Sequence, residues 1–408
     1  MTLKKQIISI IASGAVLLQA TIPAFADTTL VISGNGADSK NEVKIESNQS
    51  TLVTQNNDAK INNQVNASSD TGDNEAEENT GGDVSISTGD ATTDVNVQNT
   101  VNSNAASVDC CGNNDVDVLI SGNGADSDNK VELKDEKDSG VQVFQDNNAD
   151  VKNHVDADSN SGDNEAEENT GGDVSIETGD ASTTVGVSTT ANANWAQVGG
   201  NGSNPTLSLR IVDNGADTKN KIKLDLDGGV LLTQNNDAKV VNDVDADADT
   251  GDNEAEENTG GDVSIETGDA TVDVTVDNMV NFNWADVDCG CLFDLLAKIE
   301  GNGVDSDNKL EAKLGGDLEV FQDNVADKLK NDVDADADSG DNEAEENTGD
   351  VEGSDPSIVT GDADTTVEVG NAGNSNSYGA DVPADFPEVG FNFNVSLSWA
   401  QLMALLGL

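Results

Sequence analysis

The stretch Gly72-Asp73-Asn74-Glu75-Ala76-Glu77-Glu78-Asn79-Thr80-Gly81 returns letter for letter from Gly162, Gly251 and Gly340, at steps of 90, 89 and 89 residues. A fixed period of this kind is the signature of stacked repeats rather than of one globular core. Two further markers recur at steps of 88, 91 and 88 and of 90, 89 and 93 residues. Asn-Gly-Ala-Asp begins at Asn35, Asn123 and Asn214 and returns as Asn-Gly-Val-Asp from Asn302, and Thr-Gly-Asp-Ala begins at Thr88, Thr178, Thr267 and Thr360. The chain therefore divides into repeats over 27–117, 118–206, 207–297 and 298–388, with an apolar C-terminal segment over 389–408.

Within each repeat, short segments alternate apolar and polar residues between Gly, Asn and Asp, which is strand and turn chemistry. In the third repeat the expected strands are Leu207–Val212, Lys221–Leu226, Val230–Gln234, Lys239–Val244, Asp262–Thr267 and Thr271–Asp277. Helix is expected only over Leu292–Ala297 and near the C-terminus. A finer rhythm of alanines at Ala37, Ala59, Ala76, Ala91 and Ala105, steps of 22, 17, 15 and 14 residues, suggests coils of about that length. The fold class expected is an all-β, tandem-repeat β-solenoid, with four tandem small β-sandwiches as the alternative. Eight Phe and three Trp favour a thin core over thick ones.

Lys4 and Lys5, an apolar run from Ile7 to Leu18 and Ala24-Phe25-Ala26 have the layout of a secretory signal peptide over residues 1–26. The expected location is secreted, extracellular or at the cell surface. No stretch reaches the roughly 20 apolar residues of a spanning helix, so no transmembrane helix is expected in the mature chain. The balance of 19 basic against 79 acidic residues, a net charge of −60, repels phosphate and excludes nucleic acid as a partner. High charge with few aromatics is also the signature of disorder. Recurring alternating segments and only five prolines in 408 residues argue for a folded chain.

The acids have a pattern. Asp73, Glu75 and Glu77 recur as Asp163, Glu165 and Glu167, as Asp252, Glu254 and Glu256, and as Asp341, Glu343 and Glu345. Ahead of the last two sets stand Asp245, Asp247 and Asp249, and Asp334, Asp336 and Asp338. Alternation puts such carboxylates on one strand face, where like charges destabilise each other. Calcium, which takes six to eight oxygens in flexible geometry, would relieve them, and these residues are its candidate ligands. An EF-hand loop is not matched: counted from Asp245, Glu256 falls twelfth but Thr250 stands sixth, where glycine is required. The alternative is a solvated acidic face.

Cys110, Cys111, Cys289 and Cys291 are disulfide candidates in an exported chain, with intermolecular pairing favoured over a zinc site for want of ligand spacing. Trp195 and Trp284, 89 residues apart, are expected to plug junctions between repeats, or else to form carbohydrate platforms. The C-terminal segment, with Phe391, Phe393, Val395, Leu397 and Trp399 in alternation, is either a cap or a docking tail. His154 belongs to one repeat only, and no catalytic set can be assembled, so no enzyme is expected.

Where Gln55, Asn57, Ala59 and Ile61 alternate, the chain resembles repetitive bacterial surface proteins of β-solenoid type and, faintly, curlin repeats. The repeat is about four times longer than curlin's, and the acidic stretch has no counterpart there. The resemblance implies a cell-surface or matrix role. The function expected is a secreted acidic structural repeat protein, a stalk, adhesin or filament subunit stabilised by calcium and self-associating through open solenoid ends and the C-terminal tail. A carbohydrate- or surface-binding module is the alternative, with surface glycans as partners, and a β-helix polysaccharide-acting enzyme the remote one.

Overall fold

A computed structural model describes residues 7–12, 15–20, 28–47, 50–108, 115–135, 140–199, 206–288, 294–349 and 356–379. All of its regular elements are strands. β1 (Ile7–Ala12) and β2 (Ala15–Ala20) precede the first coil. Coil 1 comprises β3 (Thr28–Ser33), β4 (Lys40–Ser47), β5 (Ser50–Asp70), β6 (Glu75–Glu77), β7 (Val84–Ser87) and β8 (Ala91–Val108). Coil 2 repeats the plan with β9 (Val116–Ser121), β10 (Asp128–Asp135), β11 (Gly140–Asn160), β12 (Glu165–Glu167), β13 (Val174–Glu177) and β14 (Ala181–Gly199). Coil 3 holds β15 (Thr206–Val212), β16 (Lys219–Asp227), β17 (Gly229–Asp249), β18 (Glu254–Glu256), β19 (Val263–Glu266) and β20 (Ala270–Asp288). Coil 4 ends the stack with β21 (Asp294–Glu300), β22 (Asp307–Gly315), β23 (Leu318–Asp338), β24 (Glu343–Glu345), β25 (Ser357–Val359) and β26 (Ala363–Tyr378).

Each strand pairs in parallel with its counterpart in the next coil, as in β23-β17-β11-β5 and β22-β16-β10-β4. The register is residue on equivalent residue: Val244 sits between Val155 and Val333, and Ala246 between Ala157 and Ala335. The molecule is thus a β-solenoid whose coil is the whole repeat. The finer coils suggested by the alanine rhythm do not exist; Ala59 and Ala105 lie on the facing strands β5 and β8 of one coil. Two expected strands, Val230–Gln234 and Lys239–Val244, fuse into the 21-residue β17. The intervening Asn235-Asn236-Asp237, read as a turn, stays extended because Asn236 is held in the core. The helix expected over Leu292–Ala297 is contradicted where it is described: Asp294–Glu300 is strand, paired with β15. Alternation at Leu295, Ala297 and Ile299 packs against the short-arm core, which overrides the local helix preference of Leu and Ala.

The coil has two arms. In the short arm the two strands of each coil, β9 and β10 in coil 2, enclose Val118, Ile120, Val131, Leu133 and their counterparts. Its tip is turned by Asp38, Asp126, Asp217 and Asp305, all at positive φ, a conformation Asp tolerates better than most residues. In the long arm β5 runs out, β6 and β7 form the tip, and β8 returns facing β5. Gln55 Nε2 donates to Ala105 O at 3.0 Å, Asn63 Nδ2 to Asn99 Oδ1 at 2.9 Å and Thr71 Oγ1 to Gly89 O at 2.8 Å, so the two sheets close toward the tip. Small residues fill the gap, among them Val95, Val97, Ala157, Val185, Ala246 and Val274.

Between these apolar layers run amide ladders. Asn57 donates to Asn147, Asn147 to Asn236 and Asn236 to Asn324, each at 2.9–3.0 Å. Asn63, Asn153, Asn242 and Asn331 form a second at 2.7 Å per step, and Gln55, Gln145, Gln234 and Gln322 a third. Stacking of identical Asn and Gln along in-register parallel strands is the chemistry of cross-β structure, here within one chain. The ladders satisfy polar groups that would each cost about 1–3 kcal/mol if buried without a partner.

β1 and β2 lie along the outer edge of β8, Ile7 opposite Asp94 and Ala15 opposite Ser103, in the place a preceding coil would occupy. The cysteines, the cleavage-site residues 24–26 and the 389–408 segment lie outside the described residues.

Candidate functional site

At the long-arm tip the identical acidic stretch of every coil is laid on the next. The tip forms because Gly72, Gly162 and Gly251 leave no room for a side chain: a Cβ at Gly162 would stand 1.9 Å from the carbonyl oxygen of Gly251. Asn74, Asn164, Asn253 and Asn342 then ladder inside the tip, with Asn164 Nδ2 donating to Ser161 O and to Asn253 Oδ1 at 3.1 and 2.8 Å. Ala76, Ala166, Ala255 and Ala344 point inward against Val174, Ile176 and Ile265. Strand alternation leaves the flanking glutamates on the outer face.

Those glutamates meet across coils. The carboxylate oxygens of Glu77, Glu165 and Glu167 lie within 4.8 Å of one another, as do those of Glu167, Glu254 and Glu256, and of Glu256, Glu343 and Glu345. Glu167 and Glu256 each belong to two trios, so the trios run continuously along the stack. Crowding holds protons on the group. The Glu167 carboxyl is pushed up to about 7, first by sharing a hydrogen bond with Glu165, then by burial and by the charges of Glu165, Glu254 and Glu256. Glu77, Glu254 and Glu345 are raised for the same reason by Glu75, Glu256 and Glu343. A hard cation with oxygen ligands does the same work as the proton. Three carboxylates within this reach fit calcium or magnesium, with water completing the shell.

The remaining expected ligands separate from the trios. Asp245 and Asp247 of β17, and Asp334 and Asp336 of β23, project from the outer face of the long-arm sheet, where each opposes its counterpart across the coil step. Asp247 is raised to about 6, mainly by burial, then by Asp245, Asp158 and Asp336. Asp249 and Asp338 are turn residues, accepting the backbone N–H of Gly251 and Gly340 at 2.7 Å. Burial nonetheless raises Asp249 to about 6. Asp73, Asp163, Asp252 and Asp341 sit at the tip's entrance with φ of 54°, 54°, 53° and 49°.

Sequence reading missed Asp156 and Asp158, which continue the β17 ladder into coil 2 opposite Asp245 and Asp247. Aligning Val155-Asp156-Ala157-Asp158 with Val244-Asp245-Ala246-Asp247 would have found them. In coil 1 the same positions are Asn66 and Ser68, and Asn66 Nδ2 donates to Asp156 Oδ2 at 3.2 Å, so this ladder ends on an amide.

The other singled-out residues resolve simply. The rings of Trp195 and Trp284 stack at 5.2 Å and 18°, and Trp284 is buried at 2%, flanked along the stack by small Ser377. His154 stands on the outer strand face with Nδ1 3.2 Å from the Asp243 carboxylate. No family model, no curated protein and no solved structure matches the chain.

Proposed function

We propose that the chain is an exported structural protein, a stalk, adhesin or filament subunit at a cell surface or in a matrix, whose stacked coils are held by cations along their acidic tips. The observation that carries this reading is the tip itself: one identical acidic stretch, present in every coil and aligned into overlapping carboxylate trios. A single reactive pocket would break the repeat at one place, whereas every coil here contributes equivalent residues to one continuous edge. Export is supported by the layout of residues 1–26, and self-association by the strand edge of coil 4, which has no partner strand among the described residues.

Calcium is the cation favoured, because it tolerates the irregular oxygen geometry of side chains on neighbouring strands. The test is thermal unfolding of the chain at neutral pH with millimolar calcium and with EDTA. A midpoint several degrees higher with calcium supports the reading, and an unchanged midpoint removes the cation from it. Glycan binding through Trp284 finds little support, since at 2% exposure it offers no open ring face.

A further inference from the structure

We infer that the partner of the coil 4 edge is coil 1 of a second copy of this chain, docked head to tail in the register that the coils use internally. The inference rests on the structural reading above and on the form of the chain that begins at Asp27. Among the described residues no strand pairs with the outer edge of coil 4: Leu310, Leu314, Leu318, Val367 and Val369 are exposed there, although their counterparts one coil earlier pack beneath coil 4.

Charge on the short arm selects the occupant. Along the stack, Lys40 opposes Asp128, Asp128 opposes Lys219, and Lys219 opposes Asp307. Lys44, Glu132, Lys223 and Glu311 alternate in the same way, as do Glu46, Lys134, Asp225 and Lys313. The contacts are formed: Lys223 Nζ reaches Glu132 at 3.1 Å, Lys313 Nζ reaches Asp225 at 3.5 Å, and Lys130 Nζ reaches Glu42 at 3.0 Å. In these three columns sign alternates over the four described coils, so their two ends carry opposite signs; the fourth column, Glu42, Lys130, Lys221 and Lys309, does not alternate but also ends on opposite signs. Coil 4 presents Asp307, Lys309, Glu311 and Lys313; coil 1 presents Lys40, Glu42, Lys44 and Glu46 in the matching places. All four pairings across the junction are attractive, which no shift of register reproduces.

The Asn57 ladder agrees: within the chain each of its amides donates toward the next coil, so Asn324 is the last described rung and donates only within its own coil, while Asn57 begins the ladder with an acceptor. The acidic strand face also permits the contact, because Asp334 and Asp336 would meet Asn66 and Ser68 rather than more carboxylates. Such a junction is heterologous and does not close, so it propagates as an open filament. Residues 7–20, which lie on the β8 edge, must be absent for it to form.

Sedimentation of the chain beginning at Asp27, at physiological ionic strength with millimolar calcium, tests the proposal. The wild-type chain is expected to give fast-sedimenting polymers. Reversing coil 4 (Lys309→Glu, Glu311→Lys, Lys313→Glu) or coil 1 (Glu42→Lys, Lys44→Glu, Glu46→Lys) should each abolish them, and mixing the two reversed chains should restore them, since both mixed junctions are again attractive. Restoration also shows that both variants fold. Gly340→Ala should block assembly with an unchanged circular dichroism spectrum, because its methyl would meet the incoming Gly72. A wild-type chain that stays monomeric, or reversed chains that polymerise alone, overturn the proposal while leaving a monomeric stalk standing. A monomer that assembles only after residues 380–408 are removed assigns the edge to the chain's own tail and overturns it too.

Discussion

Coils 3 and 4 share the acidic stretch, the amide positions and most of the strand pattern, yet they live in different solvents. Ile222 is fully buried while Leu310 is 48% exposed; Ile265 is 1% exposed and Ile358 42%; Val274 is fully buried and Val367 is 45% exposed. Each pair occupies the same place in its coil. The difference is only whether another coil follows. In an ordinary domain, side-chain direction decides burial, whereas here the neighbour along the stack decides as much as direction does. Stability in such an array is a sum of nearest-neighbour interfaces, and the terminal coil has only one.

The sharpest way to break this comparison is to insert one methyl at equivalent places. Gly162→Ala drives a Cβ to 1.9 Å from the Gly251 carbonyl oxygen and should cost about 3 kcal/mol or more, as severe overpacking does. At Gly340 the nearest atom is Asp338 Oδ1 at 3.3 Å, and the same change in the monomer should move the urea midpoint little. A weaker version uses the amides. Asn242, itself fully buried, donates to buried Asn278 and half-buried Asn331 and accepts from buried Asn153. Asn242→Ala should therefore cost about 1–3 kcal/mol by stranding buried polar groups. Asn331→Ala, at a half-buried position of the last described coil where removing the side chain lets water in to Asn242 and Asn278, should cost clearly less in the same denaturant titration.

The repeat, its strand chemistry and the stacking of equivalent residues were legible because three markers recur at steps of 88 to 93 residues. The length of the coil was not. Ala59 and Ala105 suggested short coils because small inward residues recur on both facing strands, and periodicity within a coil cannot tell two facing strands from two successive turns. The amide core was hidden for a related reason. Asn236 and Asn242 are turn formers by local preference, and only the register that lays Asn on Asn makes them ladder residues. The acids were legible as clusters, but not which would meet: Glu167 joins Glu254 across a coil step, while Asp249 turns back to its own backbone.

That division predicts an inverted response to pH. Glu167 at about 7 and Asp247 and Asp249 at about 6 lie above the ordinary values of 4.5 and 3.8. A carboxyl raised on folding binds its proton more tightly in the folded chain. Its contribution is thus complete below the ordinary value and lost as pH rises through the raised one. Without divalent cations the melting temperature should fall between pH 5 and pH 8, the reverse of acid denaturation, and calcium should restore it at pH 8. The variant Asp247→Asn with Asp249→Asn should flatten the fall. A melting temperature that rises across this range would contradict the carboxyl crowding.

The smallest effect concerns the backbone beside those acids. Glu257 holds φ at 50°, as Glu78, Glu168 and Glu346 do at 52°, 51° and 51°. A non-glycine residue in this left-handed region pays about 1 kcal/mol, and glutamate has no short polar group to offset it. Glu257 is exposed and its side chain belongs to none of the carboxylate trios. Glu257→Gly removes both the strain and one negative charge, against the extra freedom that glycine gives the unfolded chain. The net should be a gain of a few tenths to about 1 kcal/mol. Glu346→Gly should gain as much, because this strain is local to the coil and independent of whether another coil follows. If instead only the interior position responds, the strain is imposed by stacking, and the neighbour along the stack sets backbone conformation as well as burial.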